Sequence, residues 1–265
     1  MITIIIKRHS NARCDPSSAK EYVEETLSNL VDLTVEAHGG LKLWREIKEI
    51  ELRLSLTGVL FQIKGYPAGL PNITMKIAAH EQRMSISPYL QTGQIGHFTP
   101  QRVWIEDAAG KISGQLENPL SSFAGHTLTT PWDQLQTLYF FSYAFRYYLA
   151  TPFMLLEPGF QTRELEPHEE NGEVWRRLHV KFPPSVPTHS QEQVFYFNQA
   201  DLLQRLDYTP SMSGREAAHY CFEHRSFDGL MIPTLRRVVS RSPGRPQING
   251  PSGVLVVITD AIVHK

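Results

Sequence analysis

Residues 130–156 read TPWDQLQTLYFFSYAFRYYLATPFMLL, and nothing else in the chain resembles them. The segment opens with a helix-start signature. Thr130 is placed to act as N-cap, Pro131 suits the first helical position, and Asp133 closes a Ser/Thr-x-x-Asp/Glu box. From Leu138 to Leu156 the one charge is Arg146, among Tyr139, Phe140, Phe141, Tyr143, Phe145, Tyr147, Tyr148 and Phe153. A helix that is apolar nearly all round is either buried in protein or lies in a membrane. These nineteen residues are barely long enough to span a bilayer. Arg146 near the middle and Pro152 near the end make a poor span. The expectation is a helix wrapped by the rest of the chain, in a protein not integral to a membrane.

On both sides of it the sequence reads as strands. At 49–56, Ile50, Leu52, Leu54 and Leu56 alternate with polar residues, the period of a half-buried strand. Gly58 breaks the run, and 59–64 is expected to return as a second strand. Residues 72–80 and 83–86 make the next pair, and 102–106 with 111–117 a hairpin across Asp107–Gly110. A Ser/Thr/Gly/Pro-rich loop, 117–129, leads into the aromatic helix. Beyond Pro158-Gly159, segments 162–166 and 174–182 flank Asn171-Gly172, the strongest short hairpin signal in the chain. A Pro-rich break at 183–187 precedes 193–198 and 203–208. Segments 217–227 and 232–240 meet at Asp228-Gly229, and after an exposed loop 254–263 is a very apolar last strand. About ten or eleven short strands at such spacing signal a sandwich or barrel.

Ahead of the strands, 17–37 is an amphipathic helix with Tyr22, Val23, Leu27, Leu30 and Val31 on one face. His38-Gly39-Gly40 ends it, a glycine supplying the left-handed cap. A short second helix at 41–47 presents Leu43, Trp44 and Ile47. Residues 1–16 are expected to be either a disordered lead or an extra strand at Ile2–Ile6.

Composition narrows the functional classes. The chain has 265 residues, 41% hydrophobic and 20% charged, with net charge −1. No basic tail or stripe offers a footprint for nucleic acid, so no nucleic-acid partner is expected. Cys14 and Cys221 can pair once at most, which favours a reducing compartment. In MITIIIKRHS the apolar run precedes the basic residues, the reverse of a secretory signal, so a cytoplasmic location is expected. There is no G-x-S-x-G elbow, P-loop, dinucleotide-binding glycine run or H-E-x-x-H, and no cofactor is expected.

The polar residues give few leads. His219, Cys221 and Glu223 alternate on one strand face, but ligands so spaced sit roughly 7 Å apart, too far for one ion. No metal site is expected, and His38 reads as a helix-end residue. Arg176-Arg177 and Arg236-Arg237 each place one arginine on each strand face, with Glu164, Glu166 and Asp207 as expected partners. On the aromatic helix, Tyr139, Tyr143 and Tyr147 drift along one face with Arg146 beside Tyr143. A buried arginine needs an acceptor, either a protein carboxylate or the acidic head of a ligand.

The order of elements, with 194–198 (VFYFN), 202–208 (LLQRLDY) and 222–233 (FEHRSFDGLMIP), resembles the LolA/LolB-type open barrels of bacterial lipoprotein carriers. The second segment re-enters with a basic residue after an aromatic strand, and the third has a strand, an Asp-Gly turn and an apolar-Pro step. The resemblance, to a non-exported branch, covers about residues 43–263. It implies a concave sheet whose inner face holds an apolar ligand, with helices plugging the opening.

The expected fold is therefore α+β. A single curved antiparallel sheet, an open barrel or half-barrel, wraps the central helix at 130–156, with an N-terminal helix pair at 17–48. Strand sets at 49–117 and 160–263 complete one domain over 1–265. The expected function is binding of an apolar small molecule or lipid between sheet and helices. Phe61, Trp104, Trp132, Tyr139, Tyr143, Tyr147, Phe153 and Phe195 are the candidate lining, and Arg146 the anchor for an acidic head. The alternatives are a cofactor-independent cyclase or isomerase using Tyr143 and Arg146, and a scaffold with a filled core. Oligomeric state is not legible.

Overall fold

The computed structural model describes residues 30–211, 214–242 and 245–265. The N-terminal segment 1–16, most of the helix expected over 17–37 and Cys14 lie outside them. Residues 30–37 form the helix α1, after which Gly39 and Gly40 take φ of 123° and 80°. Gly39 is also a point of close approach: a Cβ there would come within 2.6 Å of the Gly229 carbonyl oxygen. The second helix, α2, spans Gly40–Glu46 and buries Trp44.

Strand β1 (Glu49–Thr57) buries Ile50, Leu52, Leu54 and Leu56, as its alternation requires. The next segment departs from expectation. Val59–Lys64 is a short helix, α3, and not a return strand. Six residues, VLFQIK, are too few for their apolar period to separate the two states. Here the flanking chain decides: Val59 and Leu60 donate their N–H groups to the carbonyls of Ser252 and Gly253. The first strand set continues with β2 (Leu70–Ala78), β3 (Met84–Ser87), β4 (Ile95–Phe98), β5 (Arg102–Glu106) and β6 (Ile112–Glu117).

Helix α4 spans Gln134–Ala150, and Asp133 is its N-cap, replacing the expected Thr130. The Gln136 N–H donates to Asp133 Oδ1 at 2.8 Å, while the Asp133 N–H donates to Gln136 Oε1 at 3.1 Å. Thr130 Oγ1 instead accepts from the Thr127 N–H within the preceding loop. Every α4 residue but Gln134, Leu135 and Arg146 is buried. Among the described residues no helix is long and apolar enough to cross a membrane.

The second set comprises β7 (Gln161–Glu170), β8 (Glu173–Lys181), β9 (Glu192–Phe197), β10 (Leu203–Tyr208), β11 (Ala217–Phe227), β12 (Leu230–Ser242), β13 (Arg245–Pro246) and β14 (Val254–His264). Asn171 and Gly172 turn from β7 to β8 with φ of 53° and 81°, the primed geometry that Asn-Gly favours. The described residues thus form fourteen strands. Neither β4, with its glycine, nor the two-residue β13 carries a readable alternation.

The strands form one antiparallel sheet in the order β6-β5-β4-β3-β2-β1-β14-β12-β11-β10-β9-β8-β7, with β13 attached to β12 alone. The two halves of the chain meet in the middle, where β1 pairs with β14 from Glu49↔His264 to Thr57↔Leu255. The outermost strands, β6 and β7, do not pair, and the sheet is open. The chain leaves β6 at one edge and enters β7 at the other, with α4 between them. The curved sheet and α4 therefore share one core: Phe61 of α3 stacks on Phe141 at 4.5 Å, and Trp44 of α2 stacks on Phe153 at 4.4 Å.

Candidate functional site

Between α4 and strands β10–β12 and β14 lies a cavity of about 120 Å³. Helix α4 supplies Phe140, Phe141, Ala144 and Phe145 to its wall, and the sheet supplies Val238, Val254 and Val256. These sheet valines come from facing strands, since Val238 pairs with Val254 across β12 and β14. Its solvent side carries Arg215 and Glu216, both exposed.

The polar end is built from three elements. His189, from the Pro-rich loop between β8 and β9, is 3% exposed and bridges two tyrosines of α4. Its Nδ1 lies 2.9 Å from the Tyr143 hydroxyl and its Nε2 2.7 Å from the Tyr148 hydroxyl. A neutral imidazole satisfies both contacts, one nitrogen donating and the other accepting. Burial pushes the His189 pKa down to about 3. The ring also stacks on Tyr208 of β10, with centroids 4.9 Å apart.

His219 of β11 lies on the same wall and is wholly buried. Its ring stands edge-on to Tyr148 at 4.6 Å, and neither ring nitrogen has a hydrogen-bond partner among the described residues. Burial, and then the Arg236 charge, hold it well below its ordinary pKa. Behind Tyr148, Arg236 of β12 donates to Cys221 Sγ at 3.2 Å and to the Tyr148 carbonyl at 3.4 Å. Cys221 is a buried free thiol.

A wider cleft of about 640 Å³ opens on the other side of His189. Tyr139 and Tyr143 of α4 line it with Leu120 and the loop residues Val186 and Pro187. His189 lines both the cavity and the cleft, so its ring and loop form the partition between them.

Of the residues singled out from the sequence, Tyr139 and Tyr143 meet at the cleft, and Tyr147 joins Tyr143 and Arg146 around a small void of about 30 Å³. The acceptors of Arg146 are neither carboxylate nor cavity. It donates to the backbone carbonyls of Glu81 (2.7 Å) and Ala79 (3.0 Å), fastening α4 to the β2–β3 turn. Phe61, Trp132, Phe153 and Phe195 are core residues that line neither opening. Trp104 points to the opposite face of β5, because Val103 and Ile105 take the buried positions, and its ring stacks on His97 at 4.8 Å.

The arginine pairs split across the sheet as their spacing implies. Arg176 makes the expected pair with Glu164 at 2.8 and 3.0 Å. Arg177 donates to the Glu166 carbonyl, and Arg237 to the carbonyls of Ile248 and Gly250. The face expected to hold His219, Cys221 and Glu223 is broken after Cys221. Glu223 takes φ 54° and is exposed, while His224 faces His38 at 6.3 Å between ring centroids. His189, Tyr148 and Tyr208 are not among the site residues singled out from the sequence. Tyr148 is one more aromatic in an aromatic run, and nothing local places residue 189 against residue 143.

Comparison with protein-family models finds no match, and comparison with curated proteins finds none either. Solved structures do match. A domain assigned to outer membrane lipoprotein sorting, from Vibrio parahaemolyticus, aligns with TM-score 0.52 at 10% identity, over 91% of this chain and 93% of its own. A LolA superfamily protein from Nitrosomonas europaea aligns with TM-score 0.52 at 9% identity, over 90% and 94%. A DUF1329 family protein from Desulfovibrio piger gives TM-score 0.50 at 12% identity, over 89% and 92%. At such identities the likeness concerns the fold, and the fold is LolA-like.

Proposed function

From this LolA-like open sheet, we propose that the protein binds an apolar small molecule, or the end of a lipid chain, between α4 and the sheet. The observation that carries the proposal is the cavity of about 120 Å³ walled by phenylalanines of α4 and valines of β12 and β14. An apolar wall with a few convergent polar groups is the usual form of a small-molecule site. Dry cavities of about 150 Å³ with such walls take ring-sized hydrocarbons. The lipoprotein-sorting assignment of one similar structure agrees with an apolar cargo but concerns that protein.

The polar contacts in this reading are His189, Tyr148 and His219 at the cavity, with Tyr139 and Tyr143 on the cleft side of the partition. Arg146 is not used as a head anchor in this reading, since its Nε and Nη2 donate to backbone carbonyls. The test is native mass spectrometry of the full chain purified without detergent, with uptake of a fluorescent fatty-acid probe. A co-purifying apolar molecule, or probe uptake blocked by Ala144→Phe, supports binding under α4. A chain that runs at its apo mass and takes up no probe rejects it.

A further inference from the structure

We propose that the ligand carries one neutral oxygen function, a hydroxyl or carbonyl, hydrogen-bonded to His219 at the buried end of the cavity. This inference rests on the binding function proposed above and adds the class of ligand and the residue that selects it.

His219 is fixed from both sides of the sheet. It pairs with Leu206 on β10 and Val238 on β12, and its ring is enclosed by Tyr148 and Tyr208 at 4.6 and 6.4 Å. Buried polar side chains are nearly always hydrogen-bonded, and one that is not calls for an explanation. The other imidazole of this wall, His189, has its two nitrogens taken by Tyr143 and Tyr148. His219 is the side chain of the described cavity wall with buried polar atoms and no partner for them.

A lone water at His219 would leave the phenylalanine and valine wall unfilled. An apolar body bearing a single oxygen satisfies both requirements at once. It fills the wall and meets one imidazole nitrogen.

The charge of the head follows from where the cations lie. Arg215 is exposed at the solvent side next to Glu216, and Arg236 stands behind Tyr148, off the cavity wall. A carboxylate at His219 would lose its hydration without a cation in contact, which is costly in an apolar enclosure. The low proton affinity of the buried His219 ring also leaves it neutral at ordinary pH. A neutral head is therefore preferred.

Three probes with one ring separate the possibilities: toluene, benzyl alcohol and benzoate, titrated by calorimetry into the full chain. Benzyl alcohol is expected to bind about 5–10-fold more tightly than toluene, the worth of one added hydrogen bond, with benzoate weakest of the three. His219→Phe is expected to erase the preference of benzyl alcohol over toluene, and His219→Leu serves if that variant does not fold. In the wild-type chain, the His219 imidazole ¹⁵N resonances are expected to shift with benzyl alcohol and not with toluene. An unchanged alcohol-to-toluene ratio in the variant, silent His219 resonances, or benzoate binding most tightly each overturns this inference. Toluene binding then still stands as support for the cavity. Failure of all three probes to bind the wild-type chain removes the binding function itself.

Discussion

The Arg236 guanidinium lies 3.2 Å from the Cys221 thiol sulfur, and Arg236 is 3% exposed. Its other acceptor is a backbone carbonyl at 3.4 Å, and among the described residues no carboxylate forms an ion pair with it. A cation in that position is expensive to bury. Replacing it by an apolar side chain of similar length should remove that cost without opening a large void. Arg236→Met is expected to match or exceed the wild type in stability, by up to about 1–4 kcal/mol in denaturant unfolding. The same variant is expected to raise the titration points of His219 and His224. Burial is the larger cause of their low pKa values, and the Arg236 charge is the next. NMR titration reads the shift, and unmoved histidines would show that the guanidinium is screened from them.

Four histidines make the fold acid-labile. His38, His189 and His219 are buried and His224 is partly buried, and burial lowers the pKa of each. The folded values are about 4 for His38, about 3 for His189 and about 4 for His224, against 6.5 for a free imidazole. Below pH 6.5 the unfolded chain therefore binds more protons than the folded one. Stability rises with pH wherever that holds. It should be flat above pH 7 and fall as pH drops from 6.5 towards 4, by at most about 1.4 kcal/mol per pH unit for each histidine. Thermal unfolding followed from pH 8 to pH 4.5 checks this, and a Tm unchanged down to pH 5 would contradict neutral burial. His189→Gln, which keeps one donor and one acceptor, should make the dependence shallower.

Helix α4 is capped by Asp133 and not by Thr130, and the two assignments predict different costs. Asp133→Ala removes the acceptor for the Gln136 N–H and should destabilise by about 1 kcal/mol. Gln136→Ala breaks the reciprocal contact and also the Gln136 Nε2 bond to the Ser122 carbonyl at 3.1 Å. Thr130→Ala loses a loop contact and should cost less than either. Chemical denaturation ranks the three, and a Thr130→Ala cost above that of Asp133→Ala would restore the earlier helix start.

Much of the fold is local chemistry, and that part is legible in the sequence. The alternation of Ile50, Leu52, Leu54 and Leu56 fixes the inner face of β1, and Asn171-Gly172 fixes one hairpin. The largely apolar and aromatic content of α4 marks a helix buried over most of its surface. What is not legible depends on distant chain. The state of Val59–Lys64 follows from carbonyls at Ser252 and Gly253, nearly two hundred positions away. The site is less legible still, because Tyr143 is visible in its helix while its partner His189 arrives from a loop that local sequence leaves unplaced. Trp104 shows the opposite failure: an aromatic side chain suggests a pocket, but Val103 and Ile105 claim the inner face of β5.

On the face of β10 away from α4, Arg205 and Asp207 form the most enclosed ion pair among the described residues, with side chains 2% and 4% exposed. The contact is bidentate, Arg205 Nε and Nη2 each reaching an Asp207 oxygen at 2.7 Å. Tyr196 donates its hydroxyl to Asp207 Oδ2 at 2.8 Å, and its ring lies 4.1 Å beneath the guanidinium. Glu170 adds a second carboxylate to Arg205 and accepts from the Tyr220 hydroxyl at 2.7 Å. This network takes Asp207 away from the adjacent arginine pairs to which sequence spacing had allotted it. Removing one partner of such a pair leaves the other buried and underpaired. Asp207→Ala should therefore destabilise by about 3–5 kcal/mol, while Glu170→Ala should cost less because Asp207 still holds the guanidinium. Replacing both ends, as in Arg205→Met with Asp207→Leu, should recover part of the loss, since the most enclosed pair is then filled without an unpaired member, although Glu170 and Arg241 each lose a partner. Urea unfolding of Arg205→Met, Asp207→Leu and the two combined forms the cycle, with Asp207→Ala alongside. Equal losses for Asp207→Ala and the double variant would mean that this cluster stabilises through packing and not through charge.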